Sequence, residues 1–352
     1  MLKGAMEIFL WRVIFCSMLG LKLIFNLQLQ LTSAIIGADY GMQGDDLPSP
    51  SNVINLYKKQ NILLLRLFEP NQDVLNALRG SVIKVALGIK NEDVTNIAMN
   101  TNTAEQWVNT NVVPYTSEVS IGWITVGNEM VPSTTASLIP QAMNNILSAL
   151  NAAGLTQIKI STVVNANVLS VSFPPSAASF SPESIAFMQG ISIWLAGTNN
   201  PLMVNLYPYF AYASNPSEIP LDYALFNTTQ PVIDGNYKYF SLFEAMVDGF
   251  YSALEKIGGN NVTVVVSETG WPTKGNDPYT STQNAEFYNQ RLINKMKTVG
   301  TPKRPNDLLD IFIFAMFNED KKAPGVEQNW GMYYPNMDPV YPLTFCNLNK
   351  FN

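Results

Sequence analysis

The chain of 352 residues contains no histidine. That absence removes Ser-His-Asp and Cys-His nucleophile pairs, histidine metal sites and histidine general bases. Cysteine is nearly absent too, with only Cys16 and Cys346. The phosphate-cradling patterns G-x-G-x-x-G and G-x-x-x-x-G-K-[ST] and the esterase elbow G-x-S-x-G are missing. The sequence shows no low-complexity tract and no internal repeat, so solenoid and linker architectures are excluded. Nor does it hold a cluster of Lys and Arg to follow a phosphate backbone: 21 basic residues face 27 acidic ones, a net charge of −6, and nucleic acid is excluded as a partner. No metal site and no cofactor is expected. If the chain is an enzyme, Asp, Glu and Tyr are left to move protons.

A hydrophobic fraction of 47% is enough for a sizeable core. The first 34 residues differ from the rest. Lys3 and Arg12 precede the run VIFCSMLGLKLIFNLQLQL, and Thr32-Ser33-Ala34 supplies small residues at cleavage positions, the pattern of a secretory signal peptide. A membrane anchor is the rival reading, disfavoured because Lys22, Asn26, Gln28 and Gln30 interrupt the apolar run. Cleavage would remove Cys16 and leave Cys346 without an internal partner. Asn227 and Asn261 begin glycosylation tripeptides, as suits a secreted protein.

From residue 35 onward, short apolar runs recur at 35–40, 61–68, 82–89, 121–127, 158–164, 202–207, 262–267 and 310–317. They are near-continuously hydrophobic, as strands covered on both faces should be. Between them lie helical periods with recognisable ends: Ser49 or Ser51 before NVINLYKKQ, Asn71 before QDVLNALRG, Pro140 in a first turn, and Gly80 and Gly154 at closing caps. Strand and helix alternating eight times over one domain, 35–352, predict an α/β fold, the (β/α)8 TIM barrel. An open doubly wound sheet is the alternative, weakened by the missing nucleotide fingerprint.

In such a barrel the reacting groups sit at the C-terminal ends of the strands. Those ends read Asp39-Tyr40, Glu69, Asn128-Glu129, Asn165, Tyr207, Glu268 and Asn318-Glu319, and the opposite ends show nothing comparable. Glu129 follows the fourth strand and Glu268 the seventh, so the two can face each other across the ring. Two opposed carboxyl groups suit glycosidic cleavage, one protonating the leaving oxygen and the other attacking or stabilising the anomeric carbon. Aromatic residues gather in the same loops: Tyr40, Tyr207, Tyr209, Phe210, Tyr212, Trp271 and Phe317. Rings with a polar tip suit the apolar faces of pyranoses.

The segment VVVSETGWPTKG resembles the signature of plant endo-β-1,3-glucanases, glycoside hydrolase family 17. IGADYGMQGDDLPSP, RLFEPN, WITVGNE, VNLYPYFAY, FAMFNEDKK and VEQNWGMYYPN resemble further segments of that family in the same order, over residues 35 to 345. The resemblance implies a retaining hydrolase of β-1,3-glucan with Glu268 as nucleophile, Glu129 as general acid/base and carboxyl groups about 5–5.5 Å apart. It also implies that Asn128 bonds the sugar's 2-hydroxyl, that Tyr207 orients the nucleophile, and that Glu319, Lys322 and Glu327 form a charged group beside the site. Tyr40 and Phe210 are further expected sugar contacts. The implied protein is a secreted monomer without a stable membrane anchor, destined for the cell wall or vacuole. Two departures stand out: Asp39 where the family often carries Asn, and FEPN where it has YDPN. The short stretch after VYPLTF is expected to leave no room for the carbohydrate-binding domain or anchor signal of longer relatives. A mixed-linkage β-1,3-1,4-glucanase and a glucan-binding protein without catalysis remain the alternative readings.

Overall fold

The computed structural model describes residues 34–345. The expected signal peptide therefore lies almost wholly outside the described residues, and Cys346 lies outside them as well. Eight parallel strands close into a barrel in sequence order: β1 (Ile36–Asp39), β2 (Leu64–Leu67), β3 (Lys84–Ile89), β4 (Ser120–Asn128), β5 (Lys159–Asn165), β6 (Leu202–Asn205), β7 (Val264–Thr269) and β8 (Ile311–Ile313). Strand β1 pairs with both β2 and β8, so no edge is left exposed. The predicted TIM barrel is what forms. Each of the eight expected runs overlaps a strand, although the first loses one residue at either end and the last keeps only Ile311–Ile313.

The helices follow from their caps and apolar stripes. Pro50 occupies the first turn of α1 (Pro50–Lys59) behind Ser49, where its missing N–H costs nothing. The Asn71 side chain accepts from the Val74 amide to start α2 (Gln72–Ala77). After β3 the chain forms two helices, α3 (Asn91–Met99) and α4 (Thr101–Asn111), the second capped by Asn100. Ile139–Ala152 and Ile185–Thr198 follow β4 and β5, Leu242–Lys256 precedes β7, and Thr282–Met296 follows it.

The eightfold alternation is incomplete at its end. Beyond β8 the described chain has no α-helix, only a short 3-10 turn at Val326–Gln328 within loops that fold back over the barrel mouth. The physical reason is legible in FAMFNEDKKAPGVEQNWG. Its aromatic and charged residues follow no helical stripe, and Pro324 and Gly325 interrupt it. Two small hairpins, Leu169–Val171 with Ser179–Phe180 and Val232–Asp234 with Tyr237–Tyr239, decorate the loops after β5 and β6.

Inside the barrel, Leu64, Ala86, Trp123, Val163, Met203, Val265 and Phe312 form a closed apolar cluster, one residue from each strand except β1. Trp123 and Phe312 meet edge-on with centroids 6.1 Å apart. This plug fills the N-terminal half. The C-terminal half is where polar side chains converge.

Candidate active site

Two residues beyond the plug on each strand, the inward position recurs, because strand side chains repeat their face every second residue. On β2 that position is Arg66, on β5 Asn165, on β6 Asn205 and on β7 Ser267. Arg66 is 1% exposed and Asn205 is equally buried. A guanidinium in that setting must find counter-charge and acceptors nearby. It finds both. Nη1 donates to Glu268 Oε1 at 2.6 Å and to the Ser267 carbonyl at 3.0 Å, and Nη2 donates to Asn128 Oδ1 at 2.8 Å. The guanidinium also lies over the Phe68 ring, 4.3 Å from its centroid.

Strict alternation would send Ser267 and Glu268 to opposite faces of the sheet. Instead the register between β7 and β6 shifts between Val266 and Glu268, and both side chains reach Asn205. Strand β4 does the same: its pairing with β5 shifts between Thr125 and Asn128, and Asn128 and Glu129 both contact Asn205. Such irregularities re-aim side chains at strand ends. Gly127 adopts φ +73° at this point, a backbone open to glycine, and any Cβ there would meet Met130 Sδ at 2.4 Å. Glu129 itself has φ +55°.

The two glutamates meet at one nitrogen. Asn205 Nδ2 donates to Glu129 Oε1 at 2.6 Å and to Glu268 Oε1 at 2.9 Å. Oxygens sharing that nitrogen cannot be further apart than the two contacts laid end to end, about 5.5 Å, inside the spacing of paired carboxylates in retaining rather than inverting hydrolases. Their surroundings differ. Glu268 is 6% exposed and also accepts from Tyr207 Oη at 2.6 Å. Glu129 is solvent-exposed, with Asn165 Nδ2 donating to its second oxygen at 2.9 Å. Burial, then the Glu268 charge, pushes the Tyr207 hydroxyl well above its ordinary value, so it remains a donor through the alkaline range. Burial would lower the Arg66 guanidinium, but its acidic surroundings, Glu268 foremost, outweigh it and hold it above its usual value.

These groups open onto a cleft of about 620 Å³, lined by Tyr40, Asn128, Glu129, Tyr207, Phe210, Glu268, Glu319, Lys322 and Glu327, whereas the loop aromatics Tyr209, Tyr212 and Phe317 do not line it. Tyr40 is almost fully buried and its hydroxyl is pushed up to about 12 by that burial. Phe210 is 46% exposed and packs edge-on against Tyr207 at 5.5 Å. Glu319 accepts from the Gln43 amide at 2.6 Å and pairs with Lys322 at 3.3 Å, while Glu327 lines the cleft outside that pair. Trp271 does not line the cleft. It is fully buried among Tyr209, Tyr212 and Tyr288 and donates to the Tyr279 carbonyl.

Sequence reading passed over Arg66, Asn205, Phe314 and Trp330. Arg66 had a signal: a lone guanidinium inside the apolar run NILLLRLF of a strand covered on both faces. Asn205 had the same signal in LMVNLY. Trp330 and Phe314 complete an aromatic wall with Tyr207, Trp330 lying 5.0 Å from Tyr207 and 5.9 Å from Phe314.

The chain matches the glycosyl hydrolases family 17 over residues 36–345. It is 47% identical over 311 residues to Lichenase-2 of Hordeum vulgare, covering 88% of this chain and 98% of that one. It is 44% identical over 334 residues to glucan endo-1,3-beta-glucosidase B of Solanum lycopersicum, covering 93% and 91%. One of two solved plant beta-glucan endohydrolases described as having distinct substrate specificities superposes with a TM-score of 0.85 at 46% identity, covering 88% of this chain and all of that one.

Proposed function

Because the chain belongs to glycosyl hydrolases family 17, we propose that it is an endo-hydrolase of β-1,3-glucan working by double displacement, with Glu268 as nucleophile and Glu129 as general acid/base. The observation that carries this reading is the single Asn205 amide nitrogen shared by both carboxylates, which keeps them within the retaining range. Glu268 attacks the anomeric carbon while the exposed Glu129 protonates the departing glycosidic oxygen. Water then enters beside Glu129, which takes its proton, and the glycosyl ester to Glu268 is released. Arg66, Asn205 and Tyr207 hold the Glu268 carboxylate before attack, so little reorganisation is needed in the transition state.

Arg66 can only donate, so the Asn128 side chain must present its oxygen to it, leaving the amide nitrogen to donate to a sugar hydroxyl. The ring at C2 is the natural partner, because that hydroxyl lies beside the reacting carbon. Tyr207, Phe210 and Trp330 offer faces and edges to the apolar side of glucosyl rings. Tyr40, Glu319, Lys322 and Glu327 supply polar contacts along the same cleft. Secretion through the leader at 1–34 is part of the same proposal.

The 47% identity to Lichenase-2 favours a second reading, hydrolysis of mixed-linkage β-1,3-1,4-glucan. Product analysis on laminarin and on barley mixed-linkage glucan decides between them. Oligosaccharides from laminarin support the first reading, and oligosaccharides from barley glucan alone support the second. Release from neither overturns both and leaves a binding protein.

A further inference from the structure

Asp39, at the end of β1, is fully buried, and neither of its carboxyl oxygens accepts a hydrogen bond among the described residues. Its nearest cation is Arg66, with Nη1 3.7 Å from Oδ1, a distance of ion pairing rather than hydrogen bonding. That same nitrogen is already committed to Glu268 and the Ser267 carbonyl, and Nε of Arg66 makes no bond at all. A buried, unbonded carboxylate beside a guanidinium would be costly as it stands, and rotating the guanidinium toward it would lower that cost. A neutral carboxyl exerts no such pull. The observed orientation, with Arg66 turned to Glu268 and Asn128, is the one a neutral Asp39 permits.

Resting on the reading of Glu268 as nucleophile, we propose that Asp39 is a positioning residue acting on Glu268 through Arg66. As a neutral carboxyl it leaves the guanidinium to Glu268 and Asn128; as a carboxylate it draws the guanidinium toward itself and loosens both. The groups that face it fix when this happens. Burial is the largest influence and raises its proton affinity well above the ordinary carboxyl value; Arg66 opposes this, Glu268 and Glu319 reinforce it, and Lys322 opposes it. Tyr57 on α1 and Tyr207 after β6 also sense its charge, both as hydroxyls that burial keeps protonated. Asp39 accepts no hydrogen bond among the described residues, so burial dominates and its carboxyl gives up its proton only above the ordinary carboxyl range. That ionisation reaches the active site as a loss of nucleophile placement on the alkaline side of the activity profile.

The test is kcat/KM on soluble laminarin against pH for the wild type, Asp39→Asn and Glu268→Gln, together with infrared difference spectra of wild type minus Asp39→Asn. The proposal expects Asp39→Asn to keep the acid limb and to move the alkaline limb upward by about half a pH unit or more. It expects the difference spectrum to carry a protonated-carboxyl C=O band at low pH that fades over the range in which wild-type activity falls. Superimposable profiles, or a loss of rate equal at every pH, overturn it. Should Asp39→Asn fail to fold, Asp39→Ser carries the same comparison. Near-normal turnover by Glu268→Gln would instead remove the nucleophile reading itself, whatever the Asp39 profiles show.

Discussion

The two halves of the barrel interior are built from the same strands and do opposite work. Leu64, Val163, Met203 and Val265 lie in a dry plug; two residues on, the same strands present Arg66, Asn165, Asn205 and Ser267 to a polar network around Glu268. One inward step along a strand changes the environment from close-packed hydrocarbon to a web of hydrogen bonds and buried charge. The apolar half has no group to leave unsatisfied, so it can carry stability. The polar half holds a guanidinium that is tolerable only while each of its partners is present. Stability at one end is what lets the other end hold charged groups in place.

Substitutions that act on one half and not the other sharpen this contrast. Glu268→Gln should have the largest effect, lowering kcat/KM by about 10³-fold or more, equivalent to about 4 kcal/mol of transition-state stabilisation. Glucan binding should remain measurable by affinity electrophoresis, and near-normal turnover would refute the nucleophile assignment. Glu129→Ala should lose about 10²- to 10⁴-fold. Added azide should restore turnover by giving a β-glycosyl azide, and absence of that product in a chromatographic assay would argue against the acid/base role.

The next pair sets the two halves directly against each other. Phe312→Ala in the plug should lower unfolding free energy by about 3–5 kcal/mol while the folded fraction keeps its kcat/KM. Arg66→Met should cost a similar amount, about 3–5 kcal/mol, by leaving Glu268 buried without its counter-charge, and should also lower turnover. Denaturant titration with active-site-normalised kinetics reads both quantities. If Phe312→Ala lowers kcat/KM as much as Arg66→Met does, the division of labour fails. Tyr207→Phe should show the smallest effect, about tenfold in kcat/KM, the size expected for losing one hydrogen bond to a charged group.

Much of this contrast could be read from the chain. The apolar runs placed all eight strands, and the carboxylates at their ends located Glu129 and Glu268 because charged residues seldom close a buried strand without a task. What the sequence concealed was the inside of the polar half. Arg66 and Asn205 each appear as one polar letter in an apolar run, and only the barrel's closure shows that both point to the same axis. The register shifts that bring Ser267 beside Glu268, and Asn128 beside Glu129, leave no mark in hydrophobic periodicity, since they change which face a residue takes and not what the residue is. Trp330 was hidden for another reason. It reaches the cleft from a segment beyond β8 where a helix was expected, and loop paths depend on what they cover.

Glu129 and Glu268, held to one Asn205 nitrogen, are proposed to cleave glucan with retention. Proton NMR of the newly formed reducing ends in the first minutes of laminarin hydrolysis decides this. With retention, the β-anomer appears first and relaxes afterwards to the equilibrium mixture. An α-anomer appearing first would contradict it.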